Sequence, residues 1–146
     1  MASRLSAEDR SLGSSKVYGE RNRKYIDIDL SFAAKPNGEI FKKQESAAVK
    51  QAVKNLISTN YNEKPFRPVF GGNIRDLLFD LADEFTETDA ESRIRFAIST
   101  YEPRAEVLDV SARSVPERNE LKVSVTFKVI NTSETIVLNS TLARLR

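Results

Sequence analysis

Carboxylates are the residues of this chain whose spacing could do chemistry. Its 146 residues include 21 Asp and Glu but no Cys and no His. Disulfides and thiolate nucleophiles are excluded, along with the commonest general base and the commonest metal ligand. A glycosidase needs two carboxyls a few ångströms apart, one kept protonated and one ionised by their surroundings. Glu20 and Asp29 are a pair to weigh, but Glu20 stands in a polar stretch with no apolar pocket to raise its pKa. Asp27 and Asp29 share one face of an alternating segment, and "DLADEFTETDAE" gathers further acids, so oxygen ligation of a metal is conceivable. The Gly and the alternating Asp/Asn of a calcium loop are missing, and a solvated acidic helix end is the simpler reading. Gly71-Gly72 lacks the length and the following Lys-Ser/Thr of a phosphate loop. No nucleophile–base pair stands out, although a buried Ser or Lys site stays open. No catalytic residue, metal or cofactor is assigned.

One tripeptide sets opposite charges on a fixed backbone. In "RFAISTYEPRAEV", Glu102-Pro103-Arg104 separates a helical pattern from a strand pattern. Pro103 cannot continue a helix, and it pushes Glu102 toward extended dihedrals. Physics alone favours a helix stop with two exposed charges, because polar residues at element boundaries usually serve turns and caps. The alternative is a rigid corner whose guanidinium makes two-point bonds to a partner carboxylate or to carbonyls.

The elements around that corner follow from periodicity. "KYIDIDLSF" alternates, with Ile26, Ile28, Leu30 and Phe32 on one side and Tyr25, Asp27 and Asp29 on the other, which predicts a half-buried strand. Pro36-Asn37-Gly38 is a turn, and Glu39-Ile40-Phe41 is a candidate second strand. "ESAAVKQAVKNLIST" puts Ala48, Val49, Ala52, Val53, Leu56 and Ile57 on one helical face. A loop with Pro65 and Pro68 leads to "NIRDLLFDLADEF", read as an amphipathic helix with Ile74, Leu77, Leu78 and Leu81 inward and Asn73 as N-cap. Thr88 and Glu91 have capping-box spacing and predict the start of a third helix that runs to Tyr101. Three strands follow, joined by "PERNE" and "NTSE". The middle strand sets Leu121, Val123, Val125, Phe127 and Val129 on one face. Short turns between alternating strands predict an antiparallel meander. The fold class is α+β, with helices on one face of a small mixed or antiparallel sheet.

Charge divides the chain into an arm, residues 1–23, and a single domain, residues 24–146. Up to residue 24 there are six Lys/Arg against three Asp/Glu; the remainder has 17 basic and 18 acidic groups. The arm has few apolar residues and is expected to be disordered alone and ordered on a partner. It has no apolar core of a secretory signal, and no run in the chain approaches the ~20 apolar residues of a membrane-spanning helix. Contact of the arm with nucleic acid is a weaker reading than a solvated tail or a tail docked on protein.

"PFRPVFGGNIRDLLFD", followed by "YEPR" and then strands, resembles the contractile-tail baseplate wedge family. Pro65, Phe66, Pro68, Phe70, Gly71, Leu77, Leu78 and Phe79 fill its first block, and Glu102, Pro103 and Arg104 its second, within a match over residues 44–145. The resemblance implies a non-enzymatic structural subunit in the virion tail baseplate, with a fold like the inner domain of tail sheath protein. It implies that Glu102, Pro103 and Arg104 meet the helical bundle of larger wedge subunits. It further implies that an edge strand takes a strand of tail sheath protein and templates sheath assembly. The last strand is the better edge, and Val137 or Asn139 is where an outward N–H would receive the sheath strand. Tail tube or hub proteins are candidate partners of the arm; nucleic acid and membrane are not expected. Part of the family carries a lysozyme-like label, so a muramidase-like peptidoglycan hydrolase is the alternative. Its Glu-x8-Asp-x5-Thr pattern is met by Glu20 and Asp29, but Lys35 stands in place of Thr.

Overall fold

A computed structural model describes residues 25–80, 83–130, 132 and 134–144. The expected arm of residues 1–23, and Leu81 of the second helical pattern, lie outside the described residues.

The chain enters through a hairpin. Strand β1 (Ile26–Ile28) pairs antiparallel with β2 (Lys42–Gln44), Ile26 opposite Gln44 and Ile28 opposite Lys42. Its turn closes where Gly38 N–H donates to the Lys35 carbonyl at 2.9 Å, and Gly38 takes the left-handed φ of 81° that glycine tolerates. Two expectations are corrected here. The second strand lies at 42–44 rather than 39–41, where only an isolated Ala34–Ile40 bridge forms. The alternation is real, but its faces are inverted. Ile26, Ile28, Leu30 and Phe32 are 47–64% exposed, while Tyr25, Asp27 and Asp29 are half-buried. The inversion has a physical cause: the hairpin stands apart from the main sheet, and its polar side finds ionic and hydrogen-bonding partners on the domain.

Helix α1 (Glu45–Ser58) buries Ala48, Val49, Val53, Leu56 and Ile57, in the spacing of one helical face. Its end is closed by N–H groups of Thr59 and Gly72, both donating to the Leu56 carbonyl. Gly71 is required for that approach: it has φ 118°, and a Cβ there would sit 2.3 Å from the Thr59 carbonyl oxygen.

The expected second amphipathic helix is a six-residue 3₁₀ helix, Ile74–Phe79, that buries Ile74 and Leu77. Asn73 is not its side-chain cap. It adopts left-handed φ 49°, donates to Asp76, and accepts from Tyr61 N–H at 3.3 Å. Asp80 is extended directly after it, which ends the run before a second apolar stripe can form; short 3₁₀ pieces of this kind are usual as connectors. Helix α2 spans Glu84–Tyr101. It starts earlier than predicted, at Asp83, whose carboxylate accepts from Thr86 N–H at 2.9 Å. Thr88 therefore lies inside the helix, its hydroxyl on the Glu84 carbonyl, and Glu91 serves the sheet.

The meander is as expected. Strands β3 (Ala105–Val115), β4 (Glu120–Val129) and β5 (Thr135–Ala143) form one antiparallel sheet in sequence order. Both sheets are antiparallel, so the mixed option does not apply, and the first strand does not join the main sheet. A register shift between Val107 and Asp109 marks a bulge. It switches the buried positions of β3 from Ala105 to Val110 and Ala112, as one inserted residue must. Leu121, Val123, Val125, Phe127 and Val129 all face the core with α1, α2 and the 3₁₀ helix. Among the described residues no element covers the opposite face of the sheet.

Candidate partner-binding site

The corner between α2 and β3 is a folded charge clamp. Glu102 ends α2 with its N–H on the Ile98 carbonyl, and its carbonyl accepts from Ala105 N–H at 3.1 Å. Pro103 thus sits inside a tight reversal that turns Arg104 back along Glu102. Arg104 Nε donates to Glu102 Oε1 at 2.6 Å and Nη2 to Oε2 at 2.8 Å, a two-point fork. The fork, strengthened by Asp27, holds the guanidinium firmly protonated against the cost of burial. Glu102 is 7% exposed. The reading of two exposed charges is therefore corrected: the pair satisfies itself, Arg104 is half-buried, and only Pro103 is open.

A third group joins the clamp. Arg104 Nη1 reaches Asp27 Oδ2 at 3.3 Å, and the guanidinium lies 5.4 Å from the centre of the Tyr25 ring. The corner thereby latches β1 to the domain. Gln51 of α1 holds the same strand, donating to the Ile28 carbonyl at 2.9 Å and accepting from Leu30 N–H at 3.4 Å. With its polar side so engaged, the hairpin turns its apolar row to solvent, with Ile26 and Ile28 flanking the Asp27 that meets the corner.

The two edges of the main sheet are treated differently. Past the bulge, Ala112 and Ser114 direct their N–H groups outward from β3. Glu91 accepts the first at 2.9 Å and Glu87 the second at 2.6 Å. Two carboxylates one helical turn apart on α2 thus occupy donors that an added strand would need. The outer edge of β5 has no such cover among the described residues. Val129 N–H donates to the Glu134 carbonyl, and Arg144 N–H to the Asn119 carbonyl. Both pairs share the alignment of Phe127 with Ile136 and Leu121 with Leu142. Bonded and non-bonded pairs alternate in an antiparallel ladder, so Ile136, Leu138, Ser140 and Leu142 turn their backbone groups to β4. Val137, Asn139 and Thr141 turn theirs away. The two residues singled out from the sequence thus both have outward N–H groups. The corner, at the start of β3, and this edge are separated by the width of the sheet, about 10 Å from β3 to β5.

The carboxylates weighed for chemistry do not converge. Asp27 belongs to Arg104. Asp29 pairs with Lys43 at 3.3 Å, and the Ser31 N–H followed by Lys43 holds its carboxyl below the usual range. Glu20 lies outside the described residues. Among the described residues no group of acids is placed to hold a metal ion. Sequence reasoning missed Gln51 and Glu87, and it gave Asp27 and Glu91 other roles, as a candidate metal ligand and a capping residue. The i, i+4 spacing of Glu87 and Glu91 on a helix was the available signal, since it puts both on one face.

Comparison with known proteins is consistent across sequence and fold. Residues 43–134 match the family described as Baseplate wedge protein gp25. The protein of that name from Enterobacteria phage T4 is 30% identical over 115 residues, covering 79% of this chain and 87% of the phage protein. A chain in the cryo-EM baseplate of the anti-feeding prophage has the same fold, with TM-score 0.66 and 22% identity over 75% of this chain and 88% of that one. A crystal structure described as a candidate tail lysozyme from Geobacter sulfurreducens gives TM-score 0.58 and 24% identity, covering 67% of this chain and 89% of that one. A chain of the postcontracted R2 pyocin baseplate gives TM-score 0.53 and 16% identity, covering 82% and 99%.

Proposed function

The chain belongs to the baseplate wedge protein gp25 family, and on that premise we propose that it binds the wedge helical bundle at its Glu-Pro-Arg corner and templates tail sheath at β5. As a family member it is a structural subunit of a contractile-tail baseplate, located in the tail and assembled with other baseplate subunits. The observation that carries the finer reading is the unequal treatment of the sheet edges. Glu87 and Glu91 close β3, while Val137, Asn139 and Thr141 leave β5 ready to pair with an extended segment.

The bundle contact rests on the surface beside the corner. Glu102 is too buried to meet a partner itself, so its role is to aim Arg104. Pro103, the exposed part of Arg104, and Ile26 and Ile28 on either side of Asp27 form the surface offered. An apolar row fixed next to a rigid cation suits the side of a helical bundle. We include in the same reading the likeness to the sheath inner domain that the family resemblance implies. Residues 1–23, with their excess of basic groups, are assigned to a further partner in the particle, of which tube and hub proteins are the candidates.

We propose no catalytic role. The likeness to a candidate tail lysozyme is one of fold. Asp29 is tied up by Lys43 at 3.3 Å, and Lys35 stands where the muramidase pattern has Thr. Two measurements test the reading. Tail particles carrying a tagged copy of this chain should co-purify with the larger wedge subunits and sheath, and R104A should weaken that association. Purified protein should leave a peptidoglycan suspension turbid; clearing of the suspension would establish the hydrolase instead.

A further inference from the structure

The outer side of β5 is bordered by two grooves. One, of about 510 Å³, runs between the hairpin, α1 and β5 at Leu138 and Asn139. The other, of about 430 Å³, continues past Thr141 to Arg144, against the 3₁₀ helix. Lys50 and Lys54 line the first, and Arg75 and Arg144 the second. Each groove also contains one acid, and both acids are engaged. Asp29 is paired with Lys43, and Asp76 accepts from Asn73. Among the described residues, Lys50, Lys54, Arg75 and Arg144 make no ion pair with an acid. Arg144 also lies over the Phe79 ring, 4.7 Å from its centre. A row of cations without an acid partner among the described residues thus runs beside a row of outward backbone donors and acceptors. On the far side of the sheet the arrangement is opposite: acids sit on the edge and consume its donors.

We propose that the β5 edge selects an extended acidic segment, whose backbone pairs with Val137, Asn139 and Thr141 and whose carboxylates meet Lys50, Lys54, Arg75 and Arg144. This names the chemistry of the strand expected at the sheath-template edge, and it rests on that reading. Backbone pairing is blind to side chains, so an open edge alone would accept any extended chain. The cations supply the discrimination: opposite charge across a contact speeds encounter and raises affinity for one class of partner, and like charge penalises the other. The carboxylates of Glu87 and Glu91 keep the same acidic strand from the wrong edge by repulsion as well as by occupying its donors.

The test uses two peptides of nine residues, the length of β5, one alternating valine with glutamate and one alternating valine with lysine. Each is added to the full chain, and amide exchange and chemical shifts are followed at residues 135–143. The glutamate peptide should protect Val137, Asn139 and Thr141, with an affinity that falls as salt rises. The lysine peptide should bind at least about tenfold more weakly. The K50E/K54E variant leaves two cations against two new acids and should bring the two affinities together. Equal protection by both peptides, unchanged in K50E/K54E, would leave β5 a strand acceptor and overturn the acidic preference. Protection by neither peptide would overturn the strand-acceptor reading and this proposal with it. V137P, which removes an outward N–H, should abolish protection by the glutamate peptide; undiminished protection in V137P would place binding elsewhere.

Discussion

Arg104 grips Glu102 at two points, 2.6 and 2.8 Å, across a single proline. The carboxylate is almost fully buried, and the guanidinium has one remaining arm, which it extends to Asp27. A corner built in this way is first a structural lock. It fixes the end of α2, the start of β3 and the position of the hairpin together, and any partner surface beside it inherits that rigidity.

Removing either partner of the fork should destabilise the isolated domain. E102A strands a half-buried guanidinium, and R104A strands a buried carboxylate; each should cost about 2–4 kcal/mol. R104K keeps the charge but not the two-point geometry and should fall between. Urea titration of the purified variants measures this. Midpoints equal to wild type would mean that the pair is merely present.

The latch at Asp27 should act locally. D27A breaks a partly exposed ion pair, worth about 1 kcal/mol or less globally. Amide exchange in residues 26–44 should nevertheless accelerate, and D27A combined with Q51A should accelerate it further, because both side chains hold β1. Unchanged exchange in the double variant would place the hairpin under other control.

Opening the sealed edge should have two effects. E87A/E91A leaves the N–H groups of Ala112 and Ser114 without their acceptors, at about 1–3 kcal/mol each where burial keeps water away. It also frees a second edge, so sedimentation should show concentration-dependent association absent from wild type. E87Q/E91Q retains acceptor oxygens and should stay monomeric under conditions where E87A/E91A associates.

Gly71 should resist replacement. G71A places a methyl group 2.3 Å from the Thr59 carbonyl oxygen in a left-handed conformation, and the loss should be at least about 2 kcal/mol. G72A meets nothing closer than the Ile74 side chain at 3.1 Å and should be milder. Thermal melts order the two; equal losses would mean that the loop relaxes away from α1.

Asp83 gives a pH signature. Its carboxyl is lowered from 3.8 by the Thr86 N–H and hydroxyl. A lowered folded pKa means that the ion's contribution is fully present above the unfolded value and is lost as pH falls through the folded one. D83A should therefore melt below wild type near neutral pH, and the difference should close as pH drops below 3.8. A gap independent of pH would show that capping does not depend on the ion.

Much of this was legible in the sequence. The strict alternation of Leu121 to Val129 gave the core face of β4, and the helical stripe from Ala48 to Ile57 gave α1. The hairpin misled because alternation reports a two-faced strand and not which face is covered. Ile26 and Ile28 look like core until Asp27 and Arg104 are seen to hold the other face. The second helix failed because Leu77 and Leu78 fit either helix type, and the extended Asp80 decided for the shorter one. The capping residue was misplaced because Asp83-Thr86 and Thr88-Glu91 have the same spacing, and only the sheet's need for an acceptor at Ala112 separates them. The Glu-Pro-Arg order was readable; its inward fold was not, since whether opposite charges turn to each other or to a partner depends on the reversal that Pro103 closes.

The central claim is that β5 accepts a strand and so starts the sheath, and proline placed in that edge tests it most directly. V137P and N139P each remove an N–H that points away from β4, so the ladder to β4 and the fold should survive. L138P removes a ladder bond and should unfold the domain, which checks the register. Baseplates assembled with V137P or N139P should contain the subunit in normal amount and fail to initiate sheath. Folded V137P and N139P subunits that enter the baseplate and start sheath at the wild-type rate would contradict the claim.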